Sequence, residues 1–279
     1  MSFVAIVGAG PIGGALAHKL ASRSRVGEVR LIDPAGAIAR GKALDILQSS
    51  PIEGFSARVT AADSIYAAAG AAAIVIADQA TEQEEYGGET GLALVKQLAA
   101  IEDKAPLVFA GSQRELMSRA TGELRLPASR VVGSAPYALE SALRAMAGVM
   151  LDGSGVEVTL RVVGVPPNHA VVAWEEATAH GQPITSELPP HAIAALSARI
   201  SSLWPPGPYA LGSAAARVAE AITNGSRRRY SCFVTTRPGT VIAMPVEVGP
   251  AGVERIVEPS LTQLERTALE NAIERARRP

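Results

Sequence analysis

Gly8, Gly10 and Gly13 stand at G-x-G-x-x-G spacing in VAIVGAGPIGGALAHKLA, and Asp33 follows twenty residues after the last of them, at the end of EVRLID. Glycine triplets are common, but this one follows an apolar β-like run and opens a helical pattern, which gives it a chemical meaning. The first glycine allows a tight turn, the second lets backbone approach a pyrophosphate, and the third lets helix and strand pack closely. Free N–H groups and the partial positive charge at the helix amino terminus then attract phosphate. Asp33 can accept hydrogen bonds from ribose hydroxyls while its charge repels a 2′-phosphate, so the pattern favours NAD over NADP. The candidate cofactor contacts are Gly8, Gly10, Pro11, Ile12, Gly13 and Asp33.

A second candidate lies in RVVGVPPNHAVVAW, residues 161–174. His169, one of four histidines, sits at a loop tip between two apolar runs, where catalytic groups are often held. Its imidazole could take a proton near neutral pH. The competing reading is a loop histidine hydrogen-bonded to local backbone. Cys232 is the single cysteine, which excludes an internal disulfide and a cysteine-based zinc site; no metal is expected.

These residues must be positioned by a chain of 279 residues, long enough for one large domain or two ordinary ones. With 48% hydrophobic and 19% charged residues it can bury a substantial core. A net charge of −1 offers no basic field for nucleic acid or an anionic membrane. Arg227, Arg228 and Arg229 follow a turn and read as solvated surface. The apolar run from Ala67 to Ala77 is too short to span a bilayer, and the start runs directly into a strand without a leader pattern. A soluble, cytoplasmic protein is expected.

Strands are predicted at 3–7, 28–33, 72–77, 106–111 and 130–133, with helices at about 12–22, through Ala43 to Leu47, and at about 92–101. Such alternation builds a parallel, doubly wound sheet. After Gly133 the character changes. A helix at about 138–151 leads into paired strands at 156–164 and 170–178, and then a Pro-rich stretch. A helix at about 209–223 and strands near 230–236, 241–248 and 252–257 follow. The last helix is predicted to start at Ser260, with Gln263 completing a capping box. The fold class is therefore α/β: an N-terminal Rossmann doubly wound parallel sheet over 1–134, binding NAD, followed by an α+β C-terminal domain over 135–279.

The glycine fingerprint, ARGKALDILQSSPIEGF (39–55) and AMPVEVGPAGVERIVEPSLTQLERTALENA (243–272) together resemble the lactate/malate dehydrogenase family. The resemblance covers nearly the whole chain. It implies NAD binding at Gly8, Gly10, Gly13 and Asp33, and a homodimer or homotetramer, since the helix over 39–55 lies at a dimer interface in that family. The family moves a hydride between NAD and a 2-hydroxy acid. A histidine takes the hydroxyl proton, an aspartate holds that histidine, and arginines bind the substrate.

The catalytic pattern departs from this expectation. Pro166 takes the histidine's place and His169 comes three residues late, a large shift for a base that must reach hydrogen-bond distance. The Leu-Asp-Ser-Ala-Arg pattern reads Leu139-Glu140-Ser141-Ala142-Leu143. Glu140 keeps the charge, Leu143 replaces the arginine, and Arg144 is turned about 100° round the helix, away from the site. No arginine occurs from Val59 to Gln113, where the family's mobile loop supplies them; this loop reads DQATEQEEYGGET. Gly111 falls where the family's asparagine contacts substrate. Gly207 stands near a position that usually carries a threonine. Each hydrogen bond to a charged group is worth roughly 1.5–3 kcal/mol, so losing both arginines removes the main reason for a 2-oxo acid to bind.

Three functions remain open. The first is a weakly active or inactive homologue that keeps NAD(H) binding and self-association. The second is an oxidoreductase with a rebuilt site for a less anionic hydroxy or keto substrate. There His169 would be the proton acceptor, Glu140 its orienting group, and Arg114 a displaced anion-binding group. The third is an interaction protein without nucleotide. Glu140 has a bland alternative, a buried network with Ser141 or a neighbouring arginine.

Overall fold

Apolar runs rich in Val and Ile form strands, and the Ala- and Leu-rich stretches between them form helices. The computed structural model describes residues 2–226 and 228–276. The first half comprises β1 (Phe3–Val7), α1 (Pro11–Arg23), β2 (Glu28–Ile32), α2 (Gly36–Glu53), β3 (Arg58–Ala62) and β4 (Ala73–Ile76). It continues through α3 (Gly88–Ile101), β5 (Leu107–Phe109), α4 (Arg114–Gly122) and β6 (Val131–Gly133). These strands pair in parallel in the order β3-β2-β1-β4-β5-β6. The order reverses between β1 and β4, which opens a crevice beyond their carboxyl ends, the usual ligand position in such sheets. Ile6, Leu31, Ile74, Ile76, Leu107 and Phe109 are wholly buried at its base.

The second half begins with α5 (Ala135–Met150), β7 (Val158–Thr159), β8 (Val162–Val165), β9 (His169–Val172), β10 (Thr178–Ala179) and β11 (Gln182–Pro183). Then come α6 (Ile184–Glu187), α7 (Pro190–Ala198), α8 (Pro208–Asn224), β12 (Tyr230–Arg237), β13 (Thr240–Gly249), β14 (Gly252–Ile256) and α9 (Gln263–Ala276). The large sheet continues from β6 through β12, β13, β8 and β9, now antiparallel, with β14 on β13. β7, β10 and β11 form a separate small sheet. α8 packs against α1, and the pairing is close because Gly212 lacks a side chain: a Cβ there would lie 2.9 Å from the Leu16 nitrogen. A second apolar cluster, including Leu139, Leu143, Val158, Leu160 and Leu196, fills the space beneath α5.

The sequence pattern did not disclose β3, α4 or α7. β3 carries only small or polar residues after Val59 and has no apolar alternation to betray it. The strand expected over 156–164 is two, because β7 joins the small sheet while β8 joins the large one. The final helix begins later than expected. Its capping box is Thr262 with Glu265, where Thr262 N–H donates to Glu265 at 2.8 Å and Glu265 N–H donates to Thr262 Oγ1 at 3.3 Å. Arg227 lies outside the described residues; Arg229 is 3.5 Å from Glu247. Among the described residues no helix is long and apolar enough to cross a membrane.

α9 rests on β8 and β9, so its cap stabilises the hairpin that carries His169. Thr262→Ala is expected to destabilise the protein by about 1 kcal/mol. Glu265→Ala should cost more, because Glu265 also accepts from Trp174 N–H at 3.1 Å. Urea unfolding of the two variants checks both the sign and the order.

Candidate functional site

Gly8 leaves β1 with φ of +107°, and a Cβ there would lie 2.4 Å from the Asp78 carbonyl oxygen. Gly10 N–H donates to that same carbonyl at 2.9 Å. Gly13 has no room for a side chain either, since a Cβ would approach Gly8 O to 2.0 Å. Pro11 opens α1 at a position where a missing N–H costs nothing. The loop is therefore built as its spacing predicts. Lys42, on α2, donates from Nζ to Gly10 O at 3.0 Å and places a cation beside it.

What faces the loop was not foreseen. Asp78, two residues beyond the end of β4, directs its carboxylate onto the amino terminus of α1. Its oxygens accept from Ile12 N–H at 3.0 Å and Gly13 N–H at 2.9 Å. Asp33 is likewise engaged from within the chain: it accepts from Ala9 N–H at 2.9 Å, Ala35 N–H at 2.8 Å and Ala80 N–H at 3.0 Å. Both carboxylates are buried. In this arrangement the Ile12 and Gly13 N–H groups at the start of α1 are both already taken. An acidic residue directly after an apolar central strand, IVIAD, was the available clue.

The segment after Asp78 folds back as a tight hairpin, with Gln79 N–H on Glu84 O at 2.9 Å and an isolated bridge between Asp78 and Glu85. Glu85 accepts from Ser112 N–H at 2.8 Å and Ser112 Oγ at 3.0 Å. Burial pushes its carboxyl pKa up, against the opposing effect of the Ser112 hydrogen bonds. The carboxylate fills the space beside Gly111, where a Cβ would come within 2.2 Å of it. Tyr86 is half-buried close by, and burial together with the charges on Asp33 and Asp78 holds its hydroxyl protonated. Two further acids of the loop are partnered within the protein. Glu82 accepts from Gln79 Nε2 at 3.3 Å, and Glu89 pairs with Arg119 at 2.8 Å.

The structure does not bring His169 and Glu140 together as partners. His169 opens β9, where its Nε2 lies 3.2 Å from Arg275 Nη1 on α9. Arginine only donates, so in a hydrogen bond between them Nε2 is the acceptor. Glu140 is wholly buried on α5, where it accepts from Arg161 Nη1 at 3.1 Å and Ser231 Oγ at 2.7 Å. Arg144 lies 3.8 Å from the same carboxylate because residues four apart share a helix face, and its Nε donates to Val158 O. The buried-network reading of Glu140 thus describes its surroundings, with Arg161 and Ser231 as partners. Arg114 is half-buried, and its Nη1 donates to Val241 O at 3.4 Å. It lines a cleft of about 300 Å³ shared with Glu85, Tyr86, Ser112 and Arg119. Gly207 caps α8, and a Cβ there would meet nothing within 4 Å.

The family profile described as lactate/malate dehydrogenase, NAD binding domain, matches residues 3–106. A malate dehydrogenase of Thermomicrobium roseum is 27% identical over 288 aligned positions, covering 95% of this chain and 93% of that protein. Among solved structures, malate dehydrogenase from Salinibacter ruber superposes with a TM-score of 0.84 at 24% identity, covering 98% of this chain and 95% of that one. A lactate dehydrogenase from Cryptosporidium parvum, solved with lactic acid and nicotinamide adenine dinucleotide, gives 0.85 at 21% identity, covering 99% and 95%.

Burial lifts the Glu140 pKa from its ordinary 4.5 to about 6, and outweighs the opposing pull of Arg161, Ser231 and Arg144. The fold therefore favours the protonated carboxyl. That contribution is complete below the unfolded pKa and is lost as pH rises through the folded one. Wild type should lose stability relative to Glu140→Gln across this window, on the order of 2 kcal/mol. Urea unfolding at intervals from acid to neutral pH checks it; a difference that stays constant with pH contradicts the assignment.

Proposed function

We propose that the chain is an NAD(H)-binding member of the lactate/malate dehydrogenase family that turns over malate or lactate weakly or not at all. Its N-terminal part matches an NAD-binding domain, and the glycine spacing supports Gly8, Gly10, Pro11, Ile12, Gly13 and Asp33 as the dinucleotide contacts. The observation that carries the reading is the separation of the two groups that would handle the proton. His169 is held by Arg275, while Glu140 is held by Arg161 and Ser231. A base and its orienting carboxylate work only within hydrogen-bond reach of each other and of the substrate. Glu85 adds support, because its carboxylate occupies the space beside Gly111, which the family resemblance assigns to a substrate contact.

Self-association belongs to the same proposal. α2 leaves Ile38, Leu44, Leu47 and Ile52 exposed, and Tyr209 is exposed at the start of α8. An apolar helix face of this kind suits a second copy of the chain.

Oxidation of NADH with oxaloacetate or pyruvate, followed by absorbance, is expected to run about a thousandfold or more below ordinary turnover, given the loss of both acid–base and anion-binding groups. NADH itself is expected to bind, as read by its fluorescence. Ordinary rates with either 2-oxo acid would overturn the weak-turnover reading, and absence of NADH binding would overturn the cofactor reading.

A further inference from the structure

Where β4 ends, the chain places its own anion on the helix terminus that the sheet aims at a ligand. The two Asp78 oxygens take separate donors, Ile12 N–H at 3.0 Å and Gly13 N–H at 2.9 Å, as two phosphate oxygens would. The carboxylate lies in the hollow left by Gly10, with Cγ 2.4 Å from where a Cβ would stand. Two residues further on, Ala80 N–H donates to Asp33 at 3.0 Å, as a ribose hydroxyl would. The hairpin from Asp78 to Tyr86 is pinned at its far end by Glu85 on Ser112, so the arrangement does not depend on Asp78 alone.

We propose that Asp78 sets this cleft's affinity for phosphate-bearing ligands: its carboxylate stands in for the dinucleotide pyrophosphate, and NAD(H) binds only those molecules in which the Asp78–Tyr86 hairpin has withdrawn. This rests on the reading of the glycine loop as an NAD(H) site. A ligand confined to a minor state shows a dissociation constant raised by the inverse of that state's population, so an open fraction of about a tenth weakens binding about tenfold. Ligands without phosphate compete with no carboxylate at the α1 terminus and gain from hairpin withdrawal only the release of Asp33 by Ala80.

The test is calorimetric titration of NADH, ADP-ribose and adenosine into the full chain as wild type, Asp78→Asn and Asp78→Gly. NADH and ADP-ribose are expected to bind both variants about tenfold or more tightly than wild type, with a clearly smaller gain for adenosine, which carries no phosphate for the α1 terminus. Asp78→Asn keeps an oxygen acceptor for α1 in nearly the same shape, so it decides the question if Asp78→Gly fails to fold, and circular dichroism melts establish which variants are folded. Equal or weaker NADH binding in Asp78→Asn overturns the proposal and leaves NAD(H) binding standing. A gain for adenosine as large as that for ADP-ribose overturns phosphate mimicry. NADH that binds none of the three proteins overturns both the proposal and the cofactor reading beneath it.

Discussion

The amino terminus of α1 must find acceptors for backbone N–H groups that have no partner inside the helix. It lies at the reversal point of the sheet, and Gly10, its N-cap, has no side chain to supply one. Asp78 answers from 65 to 66 residues away in sequence. That one carboxylate ties the glycine loop to the end of β4. It also fixes the start of the hairpin whose Glu85 reaches Ser112. The bare Cα of Gly10 and the left-handed backbone of Gly8 are both shaped against Asp78.

The same economy of internal partners governs the second half. Glu140 would be an unpaired charge beneath α5 if Arg161 and Ser231 did not reach it, and burying a carboxylate without such partners is costly. Ser231 in turn accepts from Val162 N–H at 3.1 Å, so the carboxylate holds the start of β8 against β12. His169, at the other end of β8's hairpin, takes its contact from α9. The residues most suggestive of proton chemistry are therefore parts of two separate packing arrangements.

The acidic loop has a similar lesson. Read as a string, DQATEQEEYGGET is a run of negative charge over a cleft, repelling an anionic substrate. Folded, Asp78, Glu82, Glu85 and Glu89 each have a named partner within the chain. Its effect on ligands comes less from net repulsion than from occupying donors and space.

The amino-acid sequence by itself determined the alternation of strands and helices, the parallel first half, the glycine loop and the position of Asp33. All of these follow from local periodicity and from the few conformations open to a tight turn. It left β3 invisible, because small residues at a sheet edge carry no alternation, and misplaced the last cap, because Ser260 and Thr262 both offer plausible hydroxyls. Only the tertiary structure decided what Asp33, Asp78, Glu85, Glu140 and His169 touch. Apart from Ala35 beside Asp33 and Arg144 on the helix of Glu140, their partners lie far off in the chain or on another element, and a carboxylate's role is set by whichever donors the packing brings within about 3 Å of it.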